Sequence, residues 1–230
     1  MVKSNSLQSN GKQRGEEARR NLIEAGIEAF STQGYEAAST RSIVEKAGVN
    51  LGAIPYYFKN KEGLYHAVAE HIALYLDEPE INAAIARIDS KTKSPSISKE
   101  QALDLMHELF EAFMTTLLSA DRPDLWIRFI FRELAEPSSV FDILNEKVVR
   151  KTINPCAALI SKILDKPIDD PECTVRAFSL FGQILIFRAM KQVTLKSLHW
   201  DDFDNDRLEL IRNVIHQQVN DALRAQSKRS

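Results

Sequence analysis

Three helix-capping residues, Ser39, Asn50 and Asn60, fall within 22 residues of one another. Few folds accept helix starts that close together. Ser, Thr, Asp and Asn favour the N-cap because their side-chain oxygens can accept from the free N–H groups of the first turn. Ser39 precedes a short run that buries Ile43, Val44 and Ala47, and Gly48 stops it. Asn50 then caps a third, short helix. Lys59-Asn60 makes the next break, and Asn60 opens a long helix over 61–76. Upstream, Ile23, Ile27 and Phe30 repeat at helical spacing over 16–32, with Gly34 as the terminator. Short helices joined by the tight Ala-Gly-Val turn read as a helix-turn-helix.

The rest of the chain has the same helical character. Ala, Leu, Glu, Lys, Arg and Gln fill the long segments. The 230 residues contain only eight glycines and eight prolines. An all-α fold is expected. Helices are expected at 81–88, 99–119, 122–135, 138–149, 153–164, 171–191 and 205–226, punctuated by Pro123, Pro137, Pro155, Pro167 and Pro171. The expected organisation is a disordered polar arm at 1–14, a helix-turn-helix domain at 15–62, a helical regulatory and dimerisation domain at 63–226, and a tail at 227–230.

The formal net charge is -2, but it is unevenly spread. Residues 1–65 hold nine Lys and Arg against seven Asp and Glu, leaving 21 against 25 for the remainder. That is the sign expected of a nucleic-acid module on an acidic body. Cys156 and Cys173 form no CxxC pair and no metal-ligand spacing, so buried thiols in a reducing cytoplasm are expected. The longest uncharged apolar stretch, Ala177 to Phe187, is short of the ~20 residues a bilayer span needs. No cofactor and no membrane partner is expected. Enzyme signatures (GxSxG, HExxH, GxxxxGK) are absent. DDFDND, residues 201–206, fails as a calcium loop, because Arg207 and Asn213 stand where the glycine and closing glutamate belong. It is expected to cap the last helix instead.

Two cations stand where helix dipoles disfavour them. Arg41 comes two residues after Ser39, and Lys61 directly follows Asn60. An anion docked at both places would explain them, with the Thr40 hydroxyl as a further donor. Solvated surface cations are the alternative. Pro55 cannot donate to the Leu51 carbonyl, so the third helix is expected to be irregular or to start late, with Gly52 supplying backbone freedom. Tyr56 and Tyr57 lie about 100° apart on a helix. One is expected to face inward and the other to offer its hydroxyl outward.

The segment AGIEAFSTQGYEAASTRSIVEKAGVNLGAIPYYFKNKEGLY resembles the DNA-binding domain of TetR-family transcriptional regulators. AIPYYF and RFIFRELAEPS, Arg128 to Ser138, are similar to the CecR-like branch of that family. The resemblance implies a homodimer on a palindromic double-stranded DNA operator, controlled by a small molecule of unknown identity, with repression the usual mode. It implies that Thr40 and Arg41 open the second helix at the DNA. Asn50, Leu51, Gly52 and Ala53 then head the recognition helix. Tyr57 takes the aromatic phosphate-contacting position, and Lys61 that of the phosphate lysine. Pro55 departs from the family pattern, where tyrosine is common. A helical interaction protein that keeps the module but works by protein contacts is the alternative reading.

Two further sets of residues are candidates. Met106, Phe110, Phe113, Met114, Trp126, Phe129 and Arg132 either line an effector pocket or form core. Phe178, Phe181, Gly182 and Leu185 on one helix, with Leu208, Ile211, Ile215 and Val219 on the last, form either a dimer face or an internal helix pair.

Overall fold

The computed structural model describes residues 3–75, 77–93, 97–118 and 124–227. These residues are all-helical, with no strand among them. The helices are α1 (Lys3–Ala37), α2 (Thr40–Lys46), α3 (Ala53–Phe58), α4 (Lys61–Tyr75), α5 (Pro79–Thr92), α6 (Lys99–Leu118), α7 (Asp124–Ala135) and α8 (Phe141–Leu144). A π-helical segment, Asn145–Arg150, leads into α9 (Lys151–Leu164), followed by α10 (Pro171–Ala189), α11 (Lys191–Leu198) and α12 (Asn205–Ser227).

The helices form two compact units. The first holds α1–α4 with α7 and α8; the second holds α5, α6 and α9–α12. The first unit is therefore larger than the 15–62 module, because α7 packs along α1. Its core runs from Leu22, Ile27 and Phe30 through Ile43, Ile54 and Phe58 to Leu64, Val68 and Ile72. Tyr65 sits at the centre, edge-on to Phe30 at 4.7 Å and tilted against Phe129 at 5.3 Å.

Several elements depart from expectation. The polar arm foreseen for 1–14 is helical from Lys3. Its Gln, Lys and Ser residues include no proline, and Gly11 and Gly15 do not interrupt α1. The break comes at Gly34, with φ 83°. Ser39 occupies the N-cap of α2 in extended geometry, but its side chain accepts no capping bond. Asn60 does cap, accepting from the Gly63 N–H at 2.8 Å. Pro155 lies inside α9 rather than between helices. It removes the donor that would meet the Lys151 carbonyl, and the wider π-helical turn lies immediately upstream. α11 was not foreseen; it leaves α10 at 76°.

In the second unit α6, α9 and α10 pack together and bury Met106, Leu109, Phe110 and Met114 of α6, Cys156, Leu159 and Ile160 of α9, and Ala177, Leu180 and Ile184 of α10. Cys156 and Cys173 are free and buried, and burial pushes the Cys156 thiol up to about 12. The acidic loop before α12 caps that helix: the Asp204 carboxylate accepts from the Arg207 N–H at 2.9 Å. Asp202 binds Lys191 at 2.7 Å.

The α12 stripe requires a correction. Ile211, Ile215 and Val219 are buried within their own unit, and Leu208 is half-buried. An apolar stripe shows that a face is covered, not by what, and here the cover is the unit's own core. On α10 the two sides differ. Ala177, Leu180 and Ile184 point inward, Phe181 lies edge-on to Phe113 at 4.9 Å, and Leu185 is half-buried. Phe178 is 53% exposed, beside Val175 and Ile186. Gly182 has open space where a Cβ would stand.

Candidate nucleic-acid interface

The turn between α2 and α3 follows from one backbone position. Gly48 has φ 67°, a left-handed conformation that costs other residues about 1–2 kcal/mol. This lets the Val49 N–H reach the Val44 carbonyl at 3.0 Å and the Gly48 N–H reach Glu45 at 3.2 Å, the paired bonds of a Schellman stop. The chain then turns through Asn50, whose carbonyl accepts from the Ala53 N–H at 3.0 Å.

α3 begins at Ala53 with Gly52, not the expected Asn50, at its N-cap and no side-chain capping bond, and this later start resolves the problem of Pro55. The proline is the third residue of its helix, where backbone N–H groups lack helical partners in any case. The missing donor therefore costs nothing, and the Pro55 carbonyl still accepts from Lys59 at 3.1 Å. Ile54 and Phe58 anchor the helix in the core. Lys59 closes it at φ 71°, and Asn60 starts α4.

The outward side chains are distinctive. Arg41 is exposed and makes no hydrogen bond or ion pair among the described residues, while Thr40 beside it is half-buried. Asn50 and Gly52 are exposed, and Ala53 is half-buried. Leu51 is 58% exposed. Tyr56 is the outward tyrosine at 81% exposure, while Tyr57 is half-buried and stands edge-on to it at 4.7 Å. The Tyr57 hydroxyl lies beside Gly15 of α1. Lys61 is half-buried: its Nζ donates to the Glu36 carbonyl at 3.2 Å and sits over the Tyr35 ring at 4.6 Å. It ties the start of α4 to the end of α1. With three donors, its ammonium still has capacity for a phosphate oxygen. Lys46 is committed to Glu28.

The sequence reading missed the support behind this surface. Glu133 of α7 is buried and accepts from the Tyr65 and Ser138 hydroxyls. Burial and that carboxylate push the Tyr65 hydroxyl well above the usual tyrosine range. The Arg132 guanidinium lies against Gly34, at the break in α1. The candidate effector residues come from both units. Trp126, Phe129 and Arg132 belong to the first unit, where Trp126 meets His71 at 5.7 Å. Met106, Phe110, Phe113 and Met114 are buried core of the second.

A cleft of about 1020 Å³ opens elsewhere in the second unit. Glu80, Arg87, Asp104, Glu111, Thr115 and His216 are among its lining residues. His107 and His216 meet there, Nδ1 to Nδ1 at 2.5 Å, so only one can carry a proton on that edge. His216 Nε2 reaches Glu111 at 2.5 Å, and His107 Nε2 reaches Asn220 at 3.1 Å. Desolvation lowers the His107 pKa. Both histidines follow a buried apolar residue, Met106 and Ile215, and this was the only local signal of the pair. Among the described residues no group of His, Cys, Asp or Glu could hold a metal ion. None of their helices alone is long and apolar enough to cross a membrane.

Comparison with known proteins agrees with this geometry. Residues 22–68 match the TetR family of bacterial regulatory proteins. Residues 102–226 match the C-terminal domain of the HTH-type transcriptional dual regulator CecR. The chain belongs to the TetR family, in its CecR branch. It is 29% identical over 217 residues to CecR of Shigella flexneri, covering 94% of this chain and 96% of that protein. It is also 30% identical to the HTH-type transcriptional regulator BetI of Escherichia coli over 119 residues, 52% of this chain and 56% of BetI. The fold is similar to a TetR-like transcriptional regulator from Rhodococcus sp. RHA1, with a TM-score of 0.60 at 14% identity, covering 90% and 95% of the two chains. As a TetR-family member the protein is a DNA-binding transcriptional regulator, and its relatives are regulators rather than enzymes.

Proposed function

We propose that this chain is a homodimeric repressor of palindromic operators, working in the cytoplasm and controlled by a small molecule. One observation carries the reading: Arg41, Asn50 and Leu51 present exposed side chains with no polar partner elsewhere among the described residues. Arg41 and Lys61 contact phosphates, with a tyrosine hydroxyl from Tyr56 or Tyr57 beside them, and α3 enters the major groove.

The uncovered apolar side chains Val175, Phe178 and Ile186 of α10, with Leu210 and Val214 of α12, support a second copy as the partner. A two-fold pair presents two recognition helices to two mirrored half-sites. The cleft beside His107 and His216 supports effector binding within the second unit, since its volume suits a small ligand. An effector that binds one arrangement of the dimer better than the other shifts the balance between operator-bound and free protein.

The test is selection of fragmented host genomic DNA on the purified protein at about 150 mM salt. An enriched palindrome, lost with Arg41→Ala, supports the proposal. Lys61→Ala should weaken binding evenly across sequences and lower the salt slope by about one per subunit. A folded protein that enriches no sequence, with or without host extract as an effector source, would sink it.

A further inference from the structure

The recognition helix has almost no conventional means of reading bases. AIPYYF, residues 53–58, contains no amide, carboxylate, ammonium or guanidinium side chain. Ile54 and Phe58 face the core, and Tyr57 is half-buried. What α3 and its leading turn present outward is Leu51, the Pro55 ring and Tyr56, with Asn50 at the edge.

We infer that this surface reads thymine by its methyl group, with Leu51 and Pro55 as the residues that set specificity. The inference rests on the DNA-binding reading above. In the major groove the C5 methyl of thymine is the one apolar feature on any base edge. A leucine side chain and a proline ring can cover it and gain from its burial. Neither can satisfy the O6 and N7 acceptors of guanine or the N4 donor of cytosine. Covered polar groups lose water at either pair, but only T·A returns a buried methyl contact to offset that loss. The same two residues therefore favour T·A over G·C through the methyl contact that G·C cannot supply. Pro55 adds to this surface because α3 starts at Ala53, which leaves the ring exposed in the first turn. Tyr56 can donate one hydrogen bond and also accept through its hydroxyl, and Asn50 can pair with adenine beside the methyl-reading patch.

The test uses the full-length protein and duplexes recovered by the genomic selection, resynthesised with deoxyuridine replacing each thymine in turn. Uracil keeps every hydrogen-bonding group of thymine and lacks only the methyl. Burial of one methyl corresponds to a loss of about fourfold per half-site when it is removed. The expected result is one or two thymines per half-site whose replacement weakens binding by about that factor, with the others silent. Leu51→Ala should bind the thymine duplex more weakly and lose its discrimination against uracil at one of those positions. Leu51 is exposed, so this variant should keep its fold, and the deoxyuridine series needs no variant at all. Tight binding with no sensitivity to uracil overturns the methyl reading and leaves operator binding intact. Failure to recover any operator overturns the DNA-binding reading itself.

Discussion

Gly63→Ala is the substitution that most directly tests how the recognition helix is held. Gly63 lies in the first turn of α4, where alanine is ordinarily favoured by about 1 kcal/mol. Here a Cβ would stand 1.8 Å from the backbone carbonyl oxygen of Phe58, the last residue of α3. Real Cβ contacts essentially never fall below 3.0 Å, so the two helices would have to separate by at least about 1.2 Å. The obstacle is backbone, and Phe58 is anchored in the core, so no side-chain rotation relieves it. Overpacking of this kind costs about 3 kcal/mol, leaving a net loss of about 2 kcal/mol after the helix-propensity gain. The shift also moves α3, so operator affinity should fall beyond what the loss of folded protein explains. Urea unfolding gives the first quantity and fluorescence anisotropy on an operator duplex the second. Asn60→Ala is the control. It removes the cap on the Gly63 N–H, costs about 1 kcal/mol, and leaves Phe58 unobstructed. If Gly63→Ala is as stable as the parent, or more so, with unchanged operator affinity, the proposed geometry of the α3–α4 corner is wrong.

The two apolar faces should respond in opposite ways to charge. Phe178→Arg should keep the fold and abolish self-association in sedimentation velocity, whereas Ile215→Asp, at a position 1% exposed, should unfold the second unit. A Phe178→Arg protein that still dimerises would place the partner elsewhere. Tyr65→Phe deprives the buried Glu133 carboxylate of a donor and should cost about 1–3 kcal/mol. The raised Tyr65 pKa means that its contribution is complete below about pH 10 and lost as pH climbs through the folded value, so calorimetry of parent and variant should converge only on the alkaline side. His107 is depressed, so its neutral form contributes stability above about pH 6.5 that is lost as pH falls through its folded value. His107→Gln should flatten that acid limb, and an unchanged limb would show that other groups cause it.

Local chemistry was enough to identify this protein in outline. Helix periodicity, the stop at Gly48, the cap at Asn60 and the late start of α3 around Pro55 depend on backbone geometry and near neighbours, so they can be read from a few residues at a time. The resemblance in residues 22–68 lies in the same local segment. Three features could not be read this way. The stripe on α12 announced a buried face, but periodicity is the same whether the covering surface is a partner or the chain's own core. The aromatic run of α7 read equally as pocket wall or as core. In the structure α7 supports the first unit through Phe129, Glu133 and Tyr65, partners 64 to 68 positions apart in the chain. His107 and His216, 109 positions apart, carry no shared local signal, and only the packing of α6 against α12 brings their ring nitrogens together. The sequence by itself thus determined most of the helix order and the TetR-like segment, because these follow from caps, breakers and local periodicity, although it missed α11 and the helical start of the chain. The tertiary structure alone decided which surface each apolar or titratable face meets, because that choice is made by distant residues.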